Sequence, residues 1–221
     1  MVLHAAGAAG FHAEHAIGQL AAHHLAAARA LGEGPLPGLR TDTPEGAACL
    51  ADTLLACRFA RANRDALVAR ASEVLAEALG VAPDRASRVD VHHNHVAREV
   101  HFGRALLVHR KGAVGLGAGE PGVIPGSMGT ASYVVEGLGN KVALNSAPHG
   151  AGREYSRSAA RKAFTRAHLD TAMAGITWGN SDAFLDEIPG AYKDVDVVMA
   201  DAADLVRPVH VLHQLVNVKG D

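Results

Sequence analysis

Twelve of the chain's 24 glycines fall between Val89 and Gly152, many of them in tight clusters such as "VGLGAGEPG", "PGSMG", "GLGN" and "HGAG". Each glycine in a helix interior costs ~1 kcal/mol relative to alanine, so this density excludes a helical segment. Glycine suits tight turns and places where backbone must approach another group closely. Short β-branched runs, "ALLVH" and "SYVVEG", stand between the clusters. The segment 89–152 is therefore expected to form short strands joined by tight turns with exposed backbone.

The flanks have another texture. From Glu14 to Leu31 an alanine- and leucine-rich stretch reads as a helix, ended by the turn-forming "GEGPLPG". A second helix is predicted from Pro44 to Leu79, with Thr43 as its cap, Pro44 in the first turn and Gly80 just past the end. Downstream, Ser156 or Ser158 can cap "RSAARKAFTRAHL" and Asp194 can cap "VDVVMADAADLV". The final "VLHQLVNVKGD" is short and apolar. Helices, strands and then helices again imply an α+β fold, a glycine-rich β core with flanking helices. Residues 1–80 should be mainly helical, 89–152 strands and glycine loops, and 153–221 helical. At 221 residues a single domain is expected.

Composition narrows the class. Hydrophobic residues make up 48% and charged residues 20%, which fits a globular chain. No apolar run nears the ~18 residues of a membrane span, and the start lacks the basic and apolar regions of a secretory signal. A cytoplasmic protein is expected. Cys49 and Cys57 match neither a Cys-x-x-Cys knuckle nor a disulfide framework, and read as buried thiols. A net charge of −2 excludes a strongly basic nucleic-acid coat, yet charge is uneven. Between Lys141 and Arg166 stand Arg153, Arg157, Arg161 and Lys162, against Glu154 alone.

Two stretches carry chemistry. "VDVHHNHVAREVHFG" gathers His92, His93, His95 and His101 beside Asp90, Asn94 and Glu99. Imidazoles oriented by carboxylates are common ligands of transition metals, though solvated or satisfied histidines fit the same spacing. A strand ending "VDV" would send His92 and His93 to opposite faces, so at most one faces a given site. The second stretch, "NSAPHGAGREYSR", sets His149 between Pro148 and the glycines Gly150 and Gly152, followed by Arg153. Glycine peptide groups can approach phosphate oxygens, arginine can grip them twice, and a neutral imidazole can attack phosphorus. A plain surface turn is the competing account. "PGSMGTAS" adds the hydroxyls of Ser127, Thr130 and Ser132. Other matches fail on context: Pro121 and Pro125 forbid the helix a dinucleotide fold needs after "GAGEPG", and "FHAEHA" is not His-Glu-x-x-His. The adjacent letters of "HHNH" do not match the scattered residues of an HNH nuclease.

Taken together, "VHHNHVAREVHFG", "VHRKGAVGLGAGEPGVIPGSMGTASYVVEGLGN", "PHGAGREYSR", "DEIPGAYKDVD" and the terminal "VKG" resemble the RtcB-type RNA ligases, over nearly the whole chain from His4 onward. The resemblance implies an RtcB-like fold, shortened at its N-terminus. It also implies a ligase of RNA repair or tRNA splicing, which joins 2′,3′-cyclic-phosphate or 3′-phosphate ends to 5′-hydroxyl ends using GTP and Mn²⁺. By resemblance His149 is the guanylated histidine, with Gly150, Ala151, Gly152 and Arg153 shaping the phosphate pocket. His93 and His4 match metal ligands, and Asn94, Ser127 and Ser132 match nucleotide contacts. Tyr192 and Lys219 resemble the groups that hold guanine. Arg110 and Lys111 would face RNA or nucleotide phosphate.

The departures are equally specific. After His4 the family has a Ser-Gly-Ser-Arg-Gly loop, where this chain reads "AAGAAG". The family's N-terminal half, with its Asp-x-x-Cys and Gly-Asn-His metal ligands, has no counterpart. The resemblance therefore implies either an RNA ligase, as a fragment of a longer enzyme or one completed by a second chain that supplies the missing ligands, or a remnant that binds GMP or RNA ends without ligating.

Overall fold

The computed structural model describes residues 11–31 and 38–218 of the chain. Contacts divide it into two compact units, Met1–Arg88 and Val89–Asp221. The first unit holds two helices, α1 (Phe11–Leu31) and α2 (Pro44–Leu79). The start of α2 follows from Thr43, whose hydroxyl accepts the N–H of Gly46, and its end from Gly80, left-handed at φ 68°. Between the helices, His24 Nε2 lies 2.7 Å from Asp52 Oδ2. Cys49 and Cys57 lie on α2 and are half-buried rather than buried. Leu54, Leu55, Phe59, Leu67, Val74 and Leu79 of the same helix are exposed. No helix among the described residues is long and apolar enough to cross a membrane.

The second unit is the glycine-rich β core. Strands β1 (Asn94–His101) and β2 (Arg104–Lys111) form an antiparallel hairpin. Phe102 and Gly103 make its turn, both with positive φ. Next come β3 (Ala113–Gly115), β4 (Pro121–Pro125), β5 (Ser132–Gly137) and β6 (Ser146–Pro148). Strand β3 pairs with β6, and β4 pairs with β5, all antiparallel. Close approach explains particular glycines: a Cβ on Gly137 would sit 2.3 Å from the carbonyl oxygen of Gly117.

Beyond residue 153, where helices with a C-terminal nucleotide-pocket segment were expected, the structure holds both helices and strands. Three short helices are present, α3 (Arg157–Ala163), α4 (Arg166–Ala172) and α5 (Val195–Asp201). Short strands accompany them, β7 (Thr177–Trp178), β8 (Val206–Leu212) and β9 (Val216–Asn217). The expected single helix "RSAARKAFTRAHL" breaks at Phe164, because Thr165 starts a new one: its hydroxyl accepts the N–H of His168, and His168 Nδ1 accepts the N–H of Thr165. Strand β8 is the larger correction. Its valines at 206, 209 and 211 suit a pleated surface, and it completes the three-stranded sheet β4–β5–β8.

Two apolar clusters fill this unit. Val114, Leu116, Ile124, Val135, Ala151, Met199 and Val206 make one, and Met128, Leu169, Met173, Phe184 and Ile188 make the other. A charged pair is set into the hairpin beside them. Arg110, 3% exposed, donates to both carboxylate oxygens of Glu99, the Nη2 bond being 2.9 Å. It also reaches Ser146 Oγ at 3.0 Å and the Leu144 carbonyl at 2.7 Å. Arg110 therefore does not face RNA or nucleotide, contrary to expectation, because its guanidinium is enclosed by Glu99 and the segment before β6.

Hydrogen bonds from Arg110, opposed by partial burial and aided by His101, hold the Glu99 carboxyl down to about 2 from its ordinary 4.5. Lowering the folded-state value makes the pair stabilising above the unfolded value and removes that stabilisation as pH falls from about 4.5 toward 2. In urea melts, Glu99→Gln should lower stability at neutral pH by about 3 kcal/mol. The same variant should flatten the loss of stability that the wild type shows below pH ~4.5.

Candidate functional site

The site is built where the open end of the hairpin meets the loop after β6. His149 Nδ1 lies 2.7 Å from the carbonyl oxygen of Gly112. A carbonyl oxygen can only accept, so Nδ1 carries the proton and the lone pair sits on Nε2. Gly112 has φ 67°, a left-handed conformation that other residues adopt at a cost. Its N–H donates to Asn94 Oδ1 and to the His93 carbonyl, both at 3.0 Å. The residue that orients the imidazole is thus itself held by the "HHN" segment.

His93 joins the same arrangement through its ring. The His93 and His149 rings stack, with centroids 5.2 Å apart and planes 12° from parallel. His92 instead lies by His95, at a centroid separation of 5.7 Å. Strand β1 begins only at Asn94, so backbone ahead of the strand separates the adjacent histidines. His95 Nδ1 is buried without a hydrogen-bond partner. Burial first, and then the positive charge of Arg110, lower the His95 imidazole from its ordinary value.

The "HGAG" loop is pinned from three sides. The Ala151 N–H donates to the Pro125 carbonyl at 3.0 Å, and its methyl enters the core. A Cβ on Gly150 would come 2.9 Å from that same carbonyl oxygen. The Gly152 carbonyl accepts the N–H of Lys193 at 3.0 Å. A cleft of about 340 Å³ opens here, lined among others by Gly112, His149, Gly150, Gly152, Lys193 and Asp201. That volume is at the lower end for small-ligand sites.

Other expected residues surround this loop with differing availability. Ser127 Oγ lies 3.0 Å from Thr130 Oγ1, and the Ser127 carbonyl accepts from Gln214 Nε2 at 3.1 Å. Ser132 is buried at the start of β5, opposite Pro125 and Leu212. Arg153 is fully engaged: Nε donates to the Tyr155 carbonyl, Nη1 to Glu187 and the Tyr192 hydroxyl, and Nη2 to the Asp186 carbonyl. Its guanidinium also lies 4.9 Å from the Tyr192 ring centre. Tyr192 in turn donates to Glu187 Oε2 at 2.5 Å, and burial followed by that bond pushes its hydroxyl up to about 12. His4 and Lys219 lie outside the described residues.

The positive segment around Arg153 is largely neutralised in three dimensions. Arg161 and Arg157 pair with buried Asp186, and Arg157 also lies 3.3 Å from Glu187. Arg166 pairs with Asp170 at 2.8 Å and Asp182 at 2.7 Å. Asp170 stands on α4 itself, whereas Asp182, Asp186 and Glu187 come from a 3₁₀ segment, Asp182–Glu187, distant in sequence from Arg153. Sequence reasoning missed them, and it missed Gly112 and Lys193. The one available signal for Gly112 was a lone glycine between the charged end of a strand and the next β run.

Two outcomes follow from this geometry. Long-range ¹H–¹⁵N NMR in mildly alkaline buffer should show His149 protonated at Nδ1, and Gly112→Val should return it toward the Nε2–H form that free histidine prefers. Arg153→Lys cannot reproduce the forked set of bonds. It should cost about 2–3 kcal/mol of stability in urea melts, a loss that a residue merely gripping phosphate would not show.

The chain matches the family described as tRNA-splicing ligase RtcB over residues 11–220. It is 43% identical over 167 residues to the RNA-splicing ligase RtcB of Escherichia coli K12, covering 73% of this chain and 41% of that protein. Against the RNA-splicing ligase RtcB of Mycobacterium tuberculosis it is 36% identical over 201 residues, covering 80% and 46%. The tRNA-splicing ligase RtcB of Aeropyrum pernix is 32% identical over 213 residues, covering 84% and 44%. The chain thus spans less than half the length of these relatives, and within that span it belongs to the RtcB family of tRNA-splicing ligases.

Proposed function

We propose that the chain carries the guanylyl-transfer site of an RNA ligase that joins 2′,3′-cyclic-phosphate or 3′-phosphate ends to 5′-hydroxyl ends. The observation that carries this reading is the His149 tautomer, Nδ1–H donating to Gly112 with Nε2 left as the nucleophile. Nε2 forms a bond to the α-phosphorus of GTP, and the bond from that phosphorus to its bridging oxygen breaks, releasing pyrophosphate. The Nδ1 proton stays on the ring, where the Gly112 carbonyl stabilises the positive charge that substitution creates. The histidine–GMP then yields its guanylyl group to a stronger nucleophile at the RNA end.

Other residues take supporting roles in this reading. Gly150, Ala151 and Gly152 bring backbone to the phosphate, and Asn94 holds Gly112. Ser127 offers a hydroxyl to the nucleotide. Ser132 braces that loop from within rather than reaching the ligand. Arg153 acts by bracing Tyr192, which stands with Lys219 for the guanine end.

Of the expected Mn²⁺ ligands, His93 lies within the described residues and would hold the ion there. Among those residues no cluster of three or more His, Cys, Asp or Glu could hold an ion. A firm transition-metal site needs three or four ligands. The described residues do not by themselves make that centre, and no step above passes through the metal. This donor set favours a second reading, reversible binding of GMP or RNA ends without covalent transfer.

Incubation with radiolabelled GTP and Mn²⁺, followed by denaturing electrophoresis, separates the two. The ligase reading expects an acid-labile guanylate on the wild type and none above background in His149→Ala. Saturable GMP binding with no adduct, even when a chain carrying the family's N-terminal half is added, would favour the second.

A further inference from the structure

We propose that the outward face of the β1–β2 hairpin is a binding surface for single-stranded RNA that leads a strand end to His149, an inference that rests on the RNA-ligase reading. Register places Asn94, Val96, Arg98 and Val100 on one face with Lys111, His109, Leu107 and Ala105. Arg98, His109 and Lys111 are exposed, and among the described residues none of the three forms an ion pair or a side-chain hydrogen bond. This face carries no carboxylate. The hairpin's single acid, Glu99, points to the other side and is held by Arg110.

The contrast with the rest of the unit gives the face its meaning. Arg153, Arg157, Arg161 and Arg166, the densest cations in the sequence, are paired with Asp170, Asp182, Asp186 and Glu187. The hairpin's outward cations, by contrast, have no carboxylate beside them on their face. A polyanion is drawn to a row of free cations, and bases stack on exposed rings beside it.

The hairpin tip supplies such a ring. Phe102 is 68% exposed and Val100 74%. Phe102 also holds φ 52°, a left-handed conformation that bulky residues seldom adopt. A residue that is both strained and scarcely packed contributes little to folding, which directs attention to a role at the surface. The row ends at Lys111, paired with Asn94 and followed by the Gly112 that His149 touches. Six residue-to-residue steps of strand lead from that end to Val100, about 20 Å, which accommodates a few nucleotides.

Fluorescence anisotropy of the full chain with a short labelled oligoribonucleotide bearing a 3′-phosphate, without GTP or metal and over a salt series, tests the proposal. The double variant Arg98→Glu, Lys111→Glu should bind at least tenfold more weakly, with a log–log salt slope reduced by about 1.4. Phe102→Asn suits the left-handed turn and removes the ring, and should weaken binding roughly fivefold or more. Lys162→Glu, a reversal away from the hairpin, should bind as the wild type does, and circular dichroism reports whether each variant folds. The proposal is overturned if the wild type binds no RNA. It is equally overturned if hairpin variants match the wild type, or if Lys162→Glu weakens binding as much as they do. Because no nucleotide is present, failure of guanylation at His149 would defeat the ligase reading while leaving this result to stand or fall by itself.

Discussion

The guanidinium of Arg110 is the interaction on which the site depends. It fastens Glu99 on one strand of the hairpin, and through Ser146 and the Leu144 carbonyl it fastens the segment that becomes β6. That strand ends at Pro148, one residue before His149, while β2 ends at Lys111, one residue before Gly112. Arg110 therefore sets the spacing between the carbonyl that orients the imidazole and the backbone that carries it. Leu144 and Asn145 both adopt positive φ, near 53°. Two consecutive non-glycine residues in that region cost energy, and the bond from Arg110 to the Leu144 carbonyl offsets part of it. Glu99 keeps the buried cation compensated, since an isolated charge at 3% exposure would be expensive.

Legibility in the sequence tracked how local the determining interaction was. Helix α2 could be read to the residue because Thr43, Pro44 and Gly80 act on their immediate neighbours. Ser156 and Asp194 were readable caps for the same reason. Strand β8 was not, because "VRPVHVL" becomes a strand by pairing with β5, remote in the chain, with a register irregularity between Val134 and Val135 that no local pattern announces. The division of charge was likewise hidden. A run of cations near His149 suggested an anion site, yet Asp186 and Glu187 return in space to neutralise it.

The site itself was partly legible. Histidine between proline and glycines marked the loop, and the "HHN" triplet marked its neighbour, but their juxtaposition depends on Gly112. What a glycine there contributes is a conformation, and conformation is not written in composition. Arg153 shows the reverse relation. Its residue type suggested a phosphate grip, whereas its environment, four hydrogen bonds and a tyrosine ring, makes it the brace between the "HGAG" loop and the segment around Tyr192.

The electrostatic consequence reaches the chemistry. In the proposed reaction, a triphosphate approaching His149 would meet backbone groups of the glycine loop and the lining cation Lys193 rather than a bank of arginines. Backbone dipoles held in place by Pro125 and Lys193 need no reorganisation as charge shifts toward the leaving pyrophosphate, which is the condition under which they are most effective. Strong fixed cations beside the α-phosphorus would bind substrate and product alike and so favour neither direction of transfer. A site that relies on oriented peptide groups and a tautomer fixed by one carbonyl can discriminate between them, because both respond to where the nitrogen–phosphorus bond forms. Exposed cations along the outward face of the hairpin, outside the glycine loop, are consistent with that division between attracting a polyanion and acting on its end.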